Sequence, residues 1–318
     1  MKYYDVFNGD ADGICALHQM RLAHPLQSTL VTGVKRDISL LKKVNAEQDD
    51  QILVLDISLD KNRDELVALL DKGAKVQYFD HHFAGDIPES PLLQANIDMD
   101  PNVCTSLLVN NFLKSQYLPW AVTAAFGDNL HQSALTAAEP LNLSEAQLKQ
   151  LELLGTCINY NGYGSSLEDL IFNPEDLYKK ISHYVNPFEF IESDDNYQTL
   201  VNGYQQDISK AENCKPSFET SSHSLSILPD EKWARRVSGV YANALATSNP
   251  DRAHAMLTQQ ADGCFLVSVR APLNNKTGAD ELCRQFETGG GRKAAAGINK
   301  LAAADYDLFK EKFTQAFC

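Results

Sequence analysis

The order of strand and helix patterns along this 318-residue chain predicts an α/β protein built on a parallel sheet. Three short stretches rich in β-branched and aromatic residues are typical of buried strands: KYYDVF (2–7), QILVLDIS (51–58) and KVQYFD (75–80). A helical pattern, GICALHQMRLA (13–23), follows the first strand, and another (60–74) separates the second from the third. Strands that alternate with helices in this way favour a parallel sheet covered on both faces.

A second α/β pattern begins later in the chain. HSLSILP (223–229) and GCFLVSVRA (263–271) have the composition of strands, and a helical pattern lies between them. The preceding stretch is polar and contains prolines, as is typical of a linker. We therefore expect three parts: an N-terminal domain (1–187), a linker (188–221) and a smaller C-terminal α/β domain (222–318).

Composition limits the possible partners. Hydrophobic residues make up 44% and charged residues 22% of the chain, which is ordinary for a globular protein. The formal net charge is -14, which disfavours wrapping of long duplex nucleic acid but leaves room for a small anion held by local cations. No stretch approaches the length of apolar sequence that crosses a membrane, so no membrane partner is expected. Oligomerisation is left open.

The seven cysteines are scattered and show no C-x-x-C spacing. This distribution favours neither a zinc site nor a disulfide framework. A reduced, cytoplasmic location is the expectation.

The stretch NGDADG (8–13) carries the first chemical signal. Asn8, Asp10 and Asp12 place oxygen atoms at alternate positions before Gly13, a spacing that suggests a hard metal ion. An EF-hand calcium loop is one interpretation, but Gln19 stands where that loop needs a glutamate, and a strand rather than a helix precedes it. A solvated turn is another.

Acidic and imidazole groups also end the other predicted strands. Asp56 ends the second strand, and Asp80, His81 and His82 follow the third in FDHHFAG. Ligands of open α/β sheets bind at the carboxyl ends of the strands, so these side chains are expected at one edge with Asp10.

Five motifs in this order, NGDADG, VLDIS, FDHH, AFGDN and GGGRKAAAG, resemble the DHH phosphoesterase superfamily, in the branch with a DHHA1 C-terminal domain. The resemblance covers nearly the whole chain. It implies a parallel-sheet DHH domain, a smaller α/β DHHA1 domain, and an active site in the cleft between them.

The resemblance further implies two metal ions bridged by Asp56. The family usually has a histidine at the position of Asn8, and an asparagine would supply a weaker, neutral oxygen. Carboxylate and imidazole ligands suit Mn²⁺ better than zinc, with Mg²⁺ or Co²⁺ as alternatives. The implied metal ligands are Asn8, Asp10 and Asp56 for one ion and Asp12, Asp56, His81 and Asp128 for the other, and the implied catalytic residues are Asp56, His81 and His82.

The C-terminal motif implies a substrate phosphate site. Arg270 resembles the arginine that a DHHA1 domain directs at a phosphate, and Arg292 stands where the family usually has a histidine. Arg292 and Lys293 add positive charge beside the backbone amides of the glycine triplet. The implied substrate-binding residues are Arg270, Gly289, Gly290, Gly291, Arg292 and Lys293.

The function that these features imply is hydrolysis of very short nucleotides, linear 5′-phosphorylated dinucleotides such as pGpG or nanoRNA, to mononucleotides. A degenerate nucleotide-binding or sensing protein is an alternative, as is a 3′-phosphoadenosine phosphate phosphatase. Outside the motifs, His18 is expected to pack or cap rather than bind metal. Tyr160 and Tyr163 are candidates for stacking on a base or for ordinary packing.

Overall fold

The computed structural model describes residues 1–318, which form two units, Met1–Asn202 and Gly203–Cys318. The division falls inside the stretch expected to be a linker. That stretch is largely helical, because Pro187 begins a helix (Pro187–Ser193) at its edge and a second helix (Asp195–Glu212) follows. Pro216 lies outside both helices.

A five-stranded sheet, with every pairing parallel, forms the centre of the first unit. Its order is β2-β1-β3-β4-β5. The strands are β1 (Tyr3–Phe7), β2 (Thr29–Val31), β3 (Gln51–Leu55), β4 (Lys75–Asp80) and β5 (Leu93–Ile97). The three sequence-predicted strands are β1, β3 and β4, so the expected parallel sheet is confirmed. β2 has only three residues and β5 is only partly buried, which is why neither gave a strand pattern.

Helices supply the rest of the first unit. They are α1 (Ala11–Ala23), α2 (Arg63–Asp71), α3 (Thr105–Phe112), α4 (Leu118–Gly127), α5 (His131–Ala138), α6 (Glu145–Gly162), α7 (Pro174–Ile181) and α8 (Pro187–Ser193). Local sequence sets several starts: a capping box joins Ser144 to Gln147 before α6, and Asn186 caps α8 ahead of a first-turn proline. A further helix, α9 (Asp195–Glu212), contains the division between the units.

Small residues let three of these helices approach closely. A Cβ atom on Gly127 would lie 2.4 Å from the Cβ of Ala11, and one on Gly155 would lie 2.1 Å from the carbonyl oxygen of Thr123. Real side-chain contacts do not reach such distances, so only glycine fits at these two crossings. The contacts hold α4 against α1 and α6, and thereby fix the end of α4, where Asp128 lies.

The second unit contains a mixed six-stranded sheet in the order β10-β11-β9-β8-β7-β6. β7 and β8 pair in parallel and the other neighbours are antiparallel. The strands are β6 (Phe218–Glu219), β7 (His223–Leu228), β8 (Ala253–Gln259), β9 (Phe265–Arg270), β10 (Gly289–Gly291) and β11 (Ala295–Leu301). The helices are α10 (Lys232–Ser248), α11 (Ala279–Cys283) and α12 (Tyr306–Phe317). This unit is the smaller α/β domain that the sequence predicts.

None of the helices combines the length and the apolar character needed to cross a membrane.

Candidate metal centre

The turn from β1 to α1 places the first acidic residues. Helix α1 begins at Ala11, inside the stretch that a calcium loop would need, so the EF-hand interpretation is wrong. Asp10 is the N-cap of α1, and its Oδ1 atom accepts the amides of Asp12 at 3.0 Å and Gly13 at 3.1 Å. A Cβ atom at Gly13 would lie 2.2 Å from the carbonyl oxygen of Asn8, so the tight turn requires this glycine.

Asp12 is oriented by a helix distant in sequence. Its two carboxylate oxygens accept the amides of Thr105 and Ser106, each at 2.7 Å, at the start of α3. These amides have no partner within their own helix, and the helix dipole favours a negative charge there. The buried carboxylate therefore has a fixed position.

Asp56 comes directly after β3 in a backbone conformation that few residues adopt. Its φ is 60°, in the left-handed region, where aspartate is tolerated better than most other residues. Its amide donates to the carbonyl of Phe79 at 3.0 Å, which ties the turn to β4. Such local strain, of order 1 kcal/mol, is often found at functional sites.

His81 is the point at which the carboxylates converge. Its Nδ1 atom lies 2.8 Å from the carbonyl oxygen of Val103, and since a carbonyl only accepts, Nδ1 carries a hydrogen. Its Nε2 atom lies 3.4 Å from Oδ1 of Asp56, and 3.9 Å from Oδ2 of both Asp12 and Asp128. The four side chains implied as ligands of one metal ion thus meet around one nitrogen atom.

The pKa values of these side chains indicate an excess of negative charge in the group. Burial raises the pKa of both Asp12 and Asp56 above their ordinary values, and neighbouring carboxylates raise them further. Burial alone would lower the pKa of His81, but Asp56, Asp128 and Asp12 outweigh it and raise that pKa to about 10. The group therefore favours added positive charge.

These residues fit a divalent cation. Oδ2 of Asp128 is buried without a hydrogen-bond partner, and a ligated ion would satisfy it. Nδ1 of His81 is held by a backbone carbonyl and Nε2 points at the carboxylates, which is the usual arrangement of a metal-binding histidine. Asp56, His81 and His82 also each offer a ligand atom within 4.8 Å of one another.

His82 has a different environment. Its Nδ1 atom lies 2.7 Å from Oδ1 of Asp80, and 44% of its side chain is exposed. Asp80 is fully buried, so this carboxylate fixes the ring while Nε2 remains available to a ligand. The sequence marked Asp80 as a strand-end acid but gave it no role beside His82.

Lys35 is the residue that sequence analysis missed. Its Nζ atom forms an ion pair with Oδ2 of Asp10, donates to Oδ1 of Asn159 at 2.9 Å, and lies 3.7 Å from Oδ1 of Asp128. Burial lowers the pKa of Lys35, but the charges of Asp10, Tyr163 and Asp128 raise it by more, so it lies above its ordinary value. The available signal was a lysine shortly after β2, at the edge where parallel strands end.

Asn8 also contacts this lysine. Its Nδ2 atom donates to the backbone carbonyl of Lys35 at 3.3 Å, and its buried Oδ1 atom has no hydrogen-bond partner. Asn8 therefore has one free oxygen, which remains a candidate ligand.

The residues implied to bind substrate lie in the second unit. Arg270 ends β9 opposite Ala295, and its Nε atom donates to Oδ1 of Asn243 at 2.6 Å. Arg292 and Lys293 are exposed in the turn between β10 and β11. The register brings Arg270 and this turn to the same end of the sheet.

The glycine triplet forms strand β10 and is not simply a flexible turn. A Cβ atom on Gly289 would lie 1.7 Å from the carbonyl oxygen of Cys283, and Gly291 has a φ of 138°. Gly290 has open space around its Cα. Two of the three glycines therefore have structural roles, and the third leaves its backbone approachable.

Packing accounts for His18 and Tyr160. His18 is buried, with Nε2 at 2.8 Å from the carbonyl oxygen of Tyr184 and an edge contact to Trp120, which confirms the packed interpretation. Tyr160 is fully buried, so it cannot stack on a base. Tyr163 is partly exposed and lies under the Lys35 ammonium, at 5.5 Å from ring centroid to Nζ.

Comparison with solved structures identifies the fold. An exonuclease RecJ bound to manganese superposes with a TM-score of 0.63 at 16% identity, covering 98% of this chain and 88% of that one. RecJ from Thermus thermophilus in complex with Mn²⁺ gives 0.65 at 16% identity over 98% of this chain, which spans 51% of the RecJ chain. PggH from Vibrio cholerae, a pGpG-specific phosphodiesterase, gives 0.58 at 15% identity over 99% of both chains.

No protein-family model matches the sequence, and no curated relative does. The structural likeness rests on the two sheets together with their helices, because each comparison covers nearly the whole chain. The chain therefore has the two-sheet α/β fold of RecJ and PggH, the fold that the DHH/DHHA1 resemblance implied.

Proposed function

We propose that this chain is a divalent-metal-dependent phosphodiesterase that hydrolyses very short nucleotides, linear 5′-phosphorylated dinucleotides such as pGpG or nanoRNA, to mononucleotides. The observation that carries the proposal is the convergence of Asp12, Asp56 and Asp128 on Nε2 of His81. Buried carboxylates without compensating charge destabilise a fold, so packing alone does not explain this group of three carboxylates around a histidine.

The expected cation is Mn²⁺, with Mg²⁺ or Co²⁺ as alternatives. When bound, such an ion polarises a phosphoryl oxygen and lowers the pKa of a water molecule. Asp12, Asp56, His81 and Asp128 would hold it. The preference for manganese rests on the mixed carboxylate and imidazole donors. The manganese named with the RecJ structures agrees with it.

Other residues of the chain would act on the substrate directly. His82 is held by Asp80 through Nδ1, so its exposed edge can donate a hydrogen bond from Nε2 to a phosphate oxygen. In its imidazolium form the ring can deliver the Nε2 proton to the departing oxygen as the ester bond breaks, which leaves the ring neutral. Asp80 keeps the ring in one orientation throughout.

The substrate class is supported by the second unit and by PggH. Arg292 and Lys293 are exposed at one end of the second sheet, where they can bind a terminal phosphate. The glycine at position 290 leaves backbone groups open to an anion. PggH, which matches over almost the full length of both chains, is named for activity on pGpG.

A sensing protein that binds nucleotides without cleaving them is the second candidate. Asn8 and Arg292 stand where the family usually has histidines, and Lys35 occupies an ion pair with Asp10. These departures favour a loss of catalysis with nucleotide binding retained, while the complete His81 group favours catalysis.

The decisive experiment measures turnover of pGpG with Mn²⁺ and compares the native chain with Asp56→Asn. Asparagine also tolerates a positive φ, so the variant should fold. It loses the negative charge of the Asp56 carboxylate. We expect the rate to fall more than about 100-fold. Asp64→Asn, at an exposed position in α2, is the matched control and should retain the native rate.

Parallel assays with cyclic dinucleotides and 3′-phosphoadenosine phosphate define the substrate class. Native turnover by Asp56→Asn would reject the metal centre. Tight binding of pGpG with no turnover by the native chain would support the sensor instead.

A further inference from the structure

The Lys35 ammonium pairs with Asp10, which the family resemblance implies as a ligand of the first metal ion. Its three oxygen neighbours are Oδ2 of Asp10, Oδ1 of Asn159 and Oδ1 of Asp128. An ammonium has three donors and no acceptor, so a set of three oxygens is a natural environment for it. Oxygen atoms from acids and amides are also what a hard metal ion binds.

The ligands implied for the first ion are largely committed to other partners. Oδ1 of Asp10 accepts two backbone amides, and Oδ2 accepts Lys35. Asn8 offers one neutral oxygen in place of an imidazole. Asp56 faces His81, and its Oδ1 atom also accepts the hydroxyl of Thr105 at 3.3 Å. These residues do not fit a second divalent ion while Lys35 is present.

Lys35 is held both through its backbone and through its ammonium group. Its backbone amide donates to the carbonyl of Gly162 at 2.8 Å, and its backbone carbonyl accepts from Asn8. Its ammonium lies over the Tyr163 ring, which attracts a cation. Only 22% of the side chain is exposed. The ammonium is therefore built into the centre and is not a mobile surface charge.

We propose that Lys35 replaces the first metal ion of the centre, so that the chain binds a single divalent cation through Asp12, Asp56, His81 and Asp128. This inference rests on the proposed function for the existence of that cation site. A lysine supplies one positive charge and three hydrogen-bond donors. Unlike a metal ion, it cannot coordinate a water molecule and lower its pKa. Lys35 neutralises the charge of Asp10, and the single remaining cation site would serve the hydrolysis.

The test is the number of Mn²⁺ ions bound per chain, measured by equilibrium dialysis with elemental analysis. We expect one ion in the native protein. We also expect the electron paramagnetic resonance spectrum of an isolated Mn²⁺ ion, not of a spin-coupled pair. This measurement needs no substrate.

Variants separate the role of Lys35 from that of Asn8. Asn8→His alone should still bind one ion, because Lys35 keeps its place. Lys35→Met combined with Asn8→His should bind two, with a spin-coupled spectrum, because a neutral side chain frees Asp10 and imidazole is the better ligand. Lys43→Met removes a half-exposed lysine paired with Asp37, and as the matched control it should bind one ion.

Each outcome decides between the alternatives. Two ions in the native chain, or in Asn8→His alone, would overturn the replacement of a metal by Lys35 and leave the proposed function standing. A single ion in the folded double variant would also overturn it. No bound ion in the native chain would reject both proposals. If the double variant does not fold, the native and Asn8→His stoichiometries still decide.

Discussion

Individual side chains in the candidate metal centre are oriented by a second protein group. Val103 fixes the tautomer of His81, the start of α3 fixes Asp12, and Asp80 fixes the ring of His82. Such support would lower the cost of ordering these side chains around the proposed ion. Asp12 and Asp80 are both buried, and each has at least one hydrogen-bond partner that lowers the cost of burial.

His18 gives a residue-scale prediction on pH. Burial outweighs its hydrogen bond to Tyr184 and lowers its pKa from 6.5 to about 4. Between these values the unfolded chain binds a proton and the folded chain does not, so His18 contributes stability above pH 6.5 that is lost as the pH falls toward 4. The full contribution is about 3 kcal/mol.

Urea unfolding across this pH range checks the prediction. The free energy of unfolding should fall less steeply with acid in His18→Gln than in the native chain. His24→Gln, which changes an exposed histidine at the end of the same helix, should keep the native slope. An identical slope in all three proteins would show that His18 is protonated in the folded state.

At the scale of elements, the centre depends on how closely helices and strands approach. β2 has only three residues, yet its place next to β1 brings the segment after it, with Lys35, to the edge that carries Asp10. The crossings at Gly127 and Gly155 hold α4 so that Asp128 follows its last turn. The site is thus positioned by packing between elements and not by its loops alone.

Gly155→Ala tests this packing. The new methyl group would meet the Thr123 carbonyl at 2.1 Å, so α4 and α6 must separate. We expect a loss of about 1–3 kcal/mol, seen as a lower melting temperature. Gly290→Ala adds the same methyl group in open space and should leave the melting temperature near its native value. Equal melting temperatures for both variants would contradict the close crossing.

For the molecule as a whole, the net charge supports the proposed preference for short substrates. The net charge is -14, so a long strand leaving the centre meets a repulsive surface, whereas a dinucleotide needs only local cations. Association with long nucleic acid normally depends on releasing counterions from many phosphates. This chain has no general excess of cations for that purpose.

The expected outcome is a strong dependence of kcat/KM on substrate length. A 5′-phosphorylated dinucleotide should be hydrolysed at least about 10-fold more efficiently than a strand of about 20 nucleotides carrying the same 5′-phosphate, at saturating Mn²⁺ and low salt. The assay uses low salt because weak screening strengthens the repulsion between a long strand and the protein's net negative charge. It equally strengthens the attraction between local cations and the phosphates of either substrate. Equal efficiency on the two substrates would reject the argument from charge.

Local sequence patterns were enough to predict the α/β architecture and to indicate acids at the strand ends that we propose to bind metal. Strand patterns of period two and helical patterns of period 3.6 are local, and acids that end parallel strands must meet at one edge. For that reason Asp10, Asp56 and Asp80 could be expected at one edge, whereas the ligand roles of Asp12 and His81 came from the family resemblance. The short β2 and the partly buried β5 gave no such pattern, because their strand character comes from neighbours in the sheet.

The partners of these acids come from distant parts of the chain and could not be predicted from the sequence. Lys35 lies 25 residues from Asp10 and 124 from Asn159 in sequence, and nothing local indicates that its ammonium joins them. The same holds for Asp12, whose amide partners are 93 and 94 residues away. Such contacts depend on how helices cross over the sheet, and that is set by long-range packing, which local periodicity does not encode.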